Sequence, residues 1–185
     1  MTGGRSPGAP RAGFSLIELL VAVSVAGVVL AAGWGWCWTA TTSCARGADL
    51  CDARSSLSFV ERLTTAELRS AICLVQAPDV ACTSRSVGFV VPSDDGLTMD
   101  VVTYVWDPGR EVLWRKASGS HLAEGVAGFA IAYYAAGDRL LPLGAGAALA
   151  PADLAAVRRV SIDARVTCGR ESAAASWQVR LRGDP

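Results

Sequence analysis

The stretch AGFSLIELLVAVSVAGVVLAAG, residues 12–33, is apolar nearly throughout and carries one carboxylate, Glu18. The apolar run continues from Phe14 to Trp38. As a helix rising ~1.5 Å per residue it is about 37 Å long, enough to cross a hydrocarbon layer of ~30 Å. A carboxylate near the centre of such a layer costs on the order of 2.5–3.5 kcal/mol, and less near an end. Glu18 lies four residues beyond Phe14, close enough to the end to reach the interface. The acid is therefore either tolerated or there for a purpose, and that alternative decides how the rest of the chain is read.

Residues 1–13 are polar, rich in Gly and Pro, and charged only at Arg5 and Arg11. They hold too little apolar surface for a core and read as a leader. Arginines ahead of an apolar run place the N-terminus in the cytoplasm and the remainder outside. Trp34, Trp36 and Trp38 gather at the far end, where an indole ring sits in the interface with its N–H in water. A cleaved secretory signal has an apolar region of roughly 7–15 residues, shorter than this run. A plain signal anchor has the right length but leaves Glu18 without a role.

The whole chain of 185 residues balances 17 basic against 17 acidic side chains, and Lys116 is its one lysine. No basic block suggests a nucleic acid partner. Six cysteines, Cys37, Cys44, Cys51, Cys73, Cys82 and Cys168, are many for a reduced compartment and favour an extracytoplasmic one, although buried free thiols are also ordinary core residues. Cys37, Cys44 and Cys51 recur every seven residues. On one helix they form a stripe with ~10.5 Å steps, too far apart for bonds among themselves. The stripe suits packing against neighbours, with inter-subunit disulfides as the alternative. Cys73 and Cys82 flank a turn region and are candidates to pair with each other or with Cys168.

Beyond the span, Leu50, Ala53, Leu57, Val60, Leu63, Leu68, Ala71, Ile72 and Val75 recur at spacings near three and four, as an amphipathic helix requires. Pro78 predicts its end between Val75 and Ala77. From Val87 the pattern turns to strands: VGFVV, then a turn at SDDG, then LTMDVVTYVW and REVLWRK joined in a hairpin at Asp107-Pro108-Gly109. GVAGFAIAYYAAGD, VRRVSIDARVTC and SWQVRLRG read as three more strands, and Leu140 to Asp153 as a loop with a short helical turn. The expected class is α+β, a long N-terminal helix packed on a mostly antiparallel sheet. Its parts are a leader at 1–13, a transmembrane helix at 14–38, an amphipathic continuation at 39–77 and an extracytoplasmic β-rich domain at 78–185.

Gly13-Phe14-Ser15-Leu16-Ile17-Glu18-Leu19 resembles the class III signal of type IV prepilins and type II secretion pseudopilins. The resemblance implies a pilin-like fold. It also implies cleavage between Gly13 and Phe14 by prepilin peptidase, a membrane aspartyl enzyme, N-methylation of Phe14, and Glu18 as fifth residue of the mature chain. A neighbouring subunit's Glu18 would then neutralise the new amine, since in apolar surroundings either charge alone is costly. Later segments are similar to PilW-like minor pilins and to the J-type pseudopilin. They are Leu113-Trp114-Arg115, the V-x-x-F-x-I-x-Y-Y pattern from Val126 to Tyr134, and VRRVSIDARV. The implied partners are prepilin peptidase, other pilins or pseudopilins in a filament or tip complex, an inner-membrane assembly platform and membrane lipid.

No catalytic signature such as G-x-S-x-G, HExxH or a P-loop occurs, nor a double CxxC for zinc. The lone histidine, His121, reads as a solvated loop residue after the hairpin. Asp94-Asp95-Gly96 reads as a turn, because calcium takes about six to eight oxygens. The expected function is that of a non-enzymatic structural and assembly-initiating subunit needing no cofactor or metal. The alternative is a single-pass, membrane-anchored, extracytoplasmic binding module.

Overall fold

The computed structural model describes residues 15–76, 80–93, 97–116, 120–144 and 147–182. One helix, α1 (Leu16–Ser70), runs without interruption through Gly47. The chain divides into two compact units, Met1–Ala45 and Arg46–Pro185.

In the first unit every described residue except Thr42 is exposed. An 18-residue window of α1 has a mean hydropathy of 2.4 and none of it is buried. Hydroxyls along this segment are satisfied by the helix itself. Ser24 Oγ donates to the Leu20 carbonyl at 2.8 Å and Thr39 Oγ1 to that of Gly35 at 2.9 Å. Thr41 and Thr42 do the same toward Cys37 and Trp38, both at 3.0 Å. Such back-bonding spares these four hydroxyls the cost of burial without a partner.

In the second unit α1 buries Ala53, Leu57, Val60, Thr64 and Leu68, at the three- and four-residue steps of one helical face. That face packs into a core shared with eight strands, β1 (Cys73–Leu74), β2 (Ser86–Pro92), β3 (Met99–Asp107), β4 (Val112–Arg115), β5 (Ser120–Ala123), β6 (Val126–Tyr134), β7 (Arg159–Cys168) and β8 (Glu171–Arg180). A 3-10 turn at Ala136–Asp138 and a short helix, α2 (Pro151–Leu154), fill the connection between β6 and β7.

The strands form two sheets, one ordered β1-β2-β3-β4-β5 and one ordered β6-β7-β8, with every pairing antiparallel. Two side chains join the sheets. Trp106 of β3 donates its indole N–H to the Val126 carbonyl at 2.8 Å. The buried Tyr133 of β6 donates its hydroxyl to the carbonyls of Ser86, 2.8 Å, and Thr83, 3.0 Å. Burial, and then the neighbouring Cys82, push the Tyr133 phenol far above its ordinary range.

The α+β class and the β3–β4 hairpin are as expected. The turn at the hairpin is an Asx turn, in which Asp107 Oδ1 accepts the N–H groups of Gly109, 2.9 Å, and Arg110, 3.3 Å. Four expectations are corrected. First, α1 ends at Ser70, five residues short of Val75, because Ile72 and Val75 donate their N–H groups to Val90 and Gly88 of β2. A sheet edge outbids another helical turn there. Second, the single sheet is two. Third, His121, solvent-exposed as expected, lies on β5 with its ring tilted against Trp114, centroids 4.0 Å apart, rather than in a loop. Fourth, β8 begins at Glu171, so its Ser-Ala-Ala-Ala start is strand as well.

Candidate functional site

The functional signal is concentrated at the start of α1. Gly13 and Phe14, the expected cleavage pair, lie outside the described residues, and so do Asp94, Asp95 and Gly96. Glu18 is placed in the first turn. The Leu19 N–H donates to the Ser15 carbonyl at 3.1 Å, the helix's first bond, and the Glu18 N–H to Ser15 Oγ at 3.4 Å. Ser15 is thus the N-cap, and Glu18 stands three residues on, as in a capping box. A carboxylate in the first turn also faces the positive end of the helix dipole. The Ser-x-x-Glu spacing was legible in the chain, yet the reading above left Glu18 without a local role. It is the Glu18 backbone N–H, not its carboxylate, that bonds Ser15.

Around Glu18 the surface is uniformly apolar and uncovered. Leu16 is 80 % exposed and Leu30 73 %, with Ile17, Leu19, Val21 and Val28 similarly bare. A soluble helix hides such residues. Among the described residues none covers them.

The six thiols are all free. Cys82 is fully buried and directs its thiol at the carbonyls of Val75, 3.5 Å, and Gly88, 3.7 Å. Burial pushes its thiol pKa up. Cys73 is exposed on β1 opposite Val90, and Cys168 is half-buried at the end of β7. The candidate pairings among these three are therefore not formed. Cys73 shares its strand face with Val90, while Leu74 turns inward beside Phe89. Cys37, Cys44 and Cys51 are exposed along α1.

A polar cluster that the sequence reading did not single out ties the second unit's helix to its sheet. Glu67 of α1 accepts from Arg115 of β4, Nη2 to Oε1 at 2.8 Å and Nε to Oε1 at 3.0 Å. It also accepts the Tyr104 hydroxyl of β3. Tyr104 is completely buried. Burial, then its bond to the Glu67 carboxylate, hold its phenol far above the ordinary range. The bond to Glu67 likewise raises the Arg115 guanidinium. The ion pair, largely shielded from water, keeps both charges matched. Its chemistry is that of a clamp. Among the described residues no group of three or more His, Cys, Asp or Glu side chains is arranged to hold a metal ion.

Residues 9–34 match the prokaryotic N-terminal methylation motif. The match spans the leader end, the Gly13–Phe14 junction, Glu18 and most of the apolar run. No curated protein matches the chain. The chain thus carries a type IV pilin-like class III signal, the kind that prepilin peptidase processes, directly ahead of an apolar helix suited to anchoring in a membrane.

Proposed function

We propose that this protein is a minor subunit of a type IV pilus or type II secretion filament, structural rather than enzymatic. It inserts with its N-terminus in the cytoplasm, is cleaved between Gly13 and Phe14, and is methylated at Phe14. The observation that carries the reading is the pairing of a methylation motif at residues 9–34 with a helix whose apolar surface none of the described residues covers. Cleavage leaves a cationic amine at Phe14, and Glu18 of an adjacent subunit neutralises it as the filament grows. A subunit at the wrong height leaves a charge unpaired in apolar surroundings, which makes the acid a register device. The partners are the peptidase, sister pilins and the inner-membrane assembly platform. The PilW-like or J-type resemblance of the later strands supports the reading as a minor, assembly-initiating subunit.

One observation favours the plainer reading of a membrane-anchored binding module: Glu18 stands in the first turn of a helix that Ser15 caps, where the helix dipole by itself favours a carboxylate. Two measurements separate the readings. Intact mass of the membrane-extracted protein shows loss of residues 1–13 and gain of one methyl group if it is a processed pilin, and an uncleaved chain if it is an anchor. Glu18→Gln keeps a side chain that serves a capping box but has no charge. Normal cleavage with failed co-assembly supports charge pairing, and normal co-assembly removes it.

A further inference from the structure

Three of the four sheet edges in the second unit are guarded. β1 is two residues long, and β5 is four residues long beside a register shift. β6 is flanked by the Tyr134–Leu140 bridge and by the Ile131 N–H bond to the Ser84 carbonyl, 2.9 Å. The fourth edge is β8. It ends its sheet, pairs with β7 through ten residues without a shift, and has no partner on its other side among the described residues. It lacks the usual devices that blunt an edge. There is no proline, lysine or bulge, and its only charges, Glu171 and Arg180, stand at its ends.

The groups this edge offers follow from the ladder. The Leu181 N–H donates to the Arg158 carbonyl at 3.0 Å, so Arg159 and Arg180 are a pair flanked by ladder bonds rather than joined by them. The unbroken register extends that parity along the strand. Ser172, Ala174, Ser176, Gln178 and Arg180 therefore point their N–H and C=O groups away from β7, while Ala173, Ala175, Trp177 and Val179 turn their side chains toward the core.

We propose that this edge pairs with the same edge of a second copy of the chain, antiparallel about a two-fold axis at Ser176. A two-fold axis normal to the sheet keeps each face on its own side, so the apolar layers of the two copies become continuous. In this register Ser172 stands opposite Arg180, Ala174 opposite Gln178 and Ser176 opposite its twin. All five donors and all five acceptors of each copy are then used, and no two like charges stand opposite each other along the paired strands. On the core face Ala175 meets Trp177 and Ala173 meets Val179, small against large. That complementarity answers a defect within one copy. Trp177 and Val179 are buried, whereas Ala173 and Ala175 are only half-covered. Centring the axis on Ala175 instead would set the Glu171 carboxylate against Val179. The inference holds whether or not the leader is cleaved.

The test is residue-resolved amide hydrogen exchange on the detergent-solubilised full chain at low and high concentration, with sedimentation measured alongside. The odd-numbered amides from Ala173 to Val179 are ladder-bonded and protected at both concentrations. The even-numbered amides from Ser172 to Arg180 exchange freely when dilute and slow by at least ~10-fold when concentrated, together with a doubling of mass. Ser176→Pro removes one edge donor and no ladder bond. It abolishes the even-numbered protection and leaves the odd-numbered protection intact. Should that variant not fold, Ser176→Glu places two carboxylates on the axis and has the same expected effect. A chain that stays monomeric, a dimer whose even-numbered amides still exchange freely, or a Ser176→Glu variant that dimerises like the parent overturns the proposal.

Discussion

At the scale of single residues, Tyr104 and Tyr133 carry the clearest pH dependence. Both phenols have raised pKa values because their neutral forms are buried and hydrogen-bonded. A raised folded-state pKa gives stability that is fully present below the unfolded value, about 10 for tyrosine. That stability is lost as pH rises above it, because the unfolded chain releases a proton that the folded one keeps. Urea titrations from pH 9 to 11.5 are expected to show stability falling above about pH 10. The slope approaches about 1.4 kcal/mol per pH unit for each tyrosine, and Tyr133→Phe removes one share of it. An unchanged slope in that variant would assign the alkaline loss elsewhere. Glu67 is the second sensitive residue. Glu67→Ala removes the carboxylate that pairs with Arg115 and accepts the Tyr104 hydroxyl and is expected to cost about 2–4 kcal/mol. Chemical denaturation compared with Glu67→Gln, which keeps an acceptor for the Tyr104 hydroxyl, measures how much of that is charge.

At the scale of elements, the β7–β8 turn is locked to the helix. Gly169 has φ +57°, and a Cβ added there would collide with the Asp49 carboxylate, which accepts the Arg170 N–H at 3.4 Å. Gly169→Ala is therefore expected to destabilise the fold by about 1–3 kcal/mol, read as a lowered urea midpoint. Asp49→Ala relieves the collision but not the backbone strain and restores part of the loss. Thiol labelling reports on the other elements. In the folded chain Cys73 on β1 reacts promptly and Cys82 does not, and Cys82 becomes reactive only on unfolding. Equal reactivity would mean that the segment between β1 and β2 is not packed as described. The elements most legible in the sequence were those with a strong local period. They are the buried face of α1 from Ala53 to Leu68, the β3–β4 hairpin with its Asp-Pro-Gly turn, and the alternation of β7. The start of β8 was not legible. Serine and alanine have little strand preference, and only pairing across to β7 makes them a strand.

At the scale of the whole molecule, every buried hydrophobic residue among those described lies at or beyond Ala53, inside the unit that begins at Arg46. The fragment 46–185 is expected to fold without the apolar segment. Its urea transition should fall within about 1 kcal/mol of that of the full chain in detergent, because the described residues of the removed part include no buried hydrophobic side chain. Failure of the fragment to unfold cooperatively would show that residues 1–45 take part in the fold.

The sequence by itself determined the features that depend on neighbours along the chain: an apolar run long enough to span a membrane, a processing motif ahead of it, and a helix giving way to strands. Composition and short-range spacing are sufficient for these because each residue's contribution is local. Tertiary structure alone decided where α1 stops, how the strands divide into two sheets, which thiols are hidden, that Glu67, Arg115 and Tyr104 meet, and that β8 is left open. Those outcomes rest on contacts between residues dozens of positions apart, whose free energy depends on burial and on competing hydrogen-bond partners. No local pattern records either.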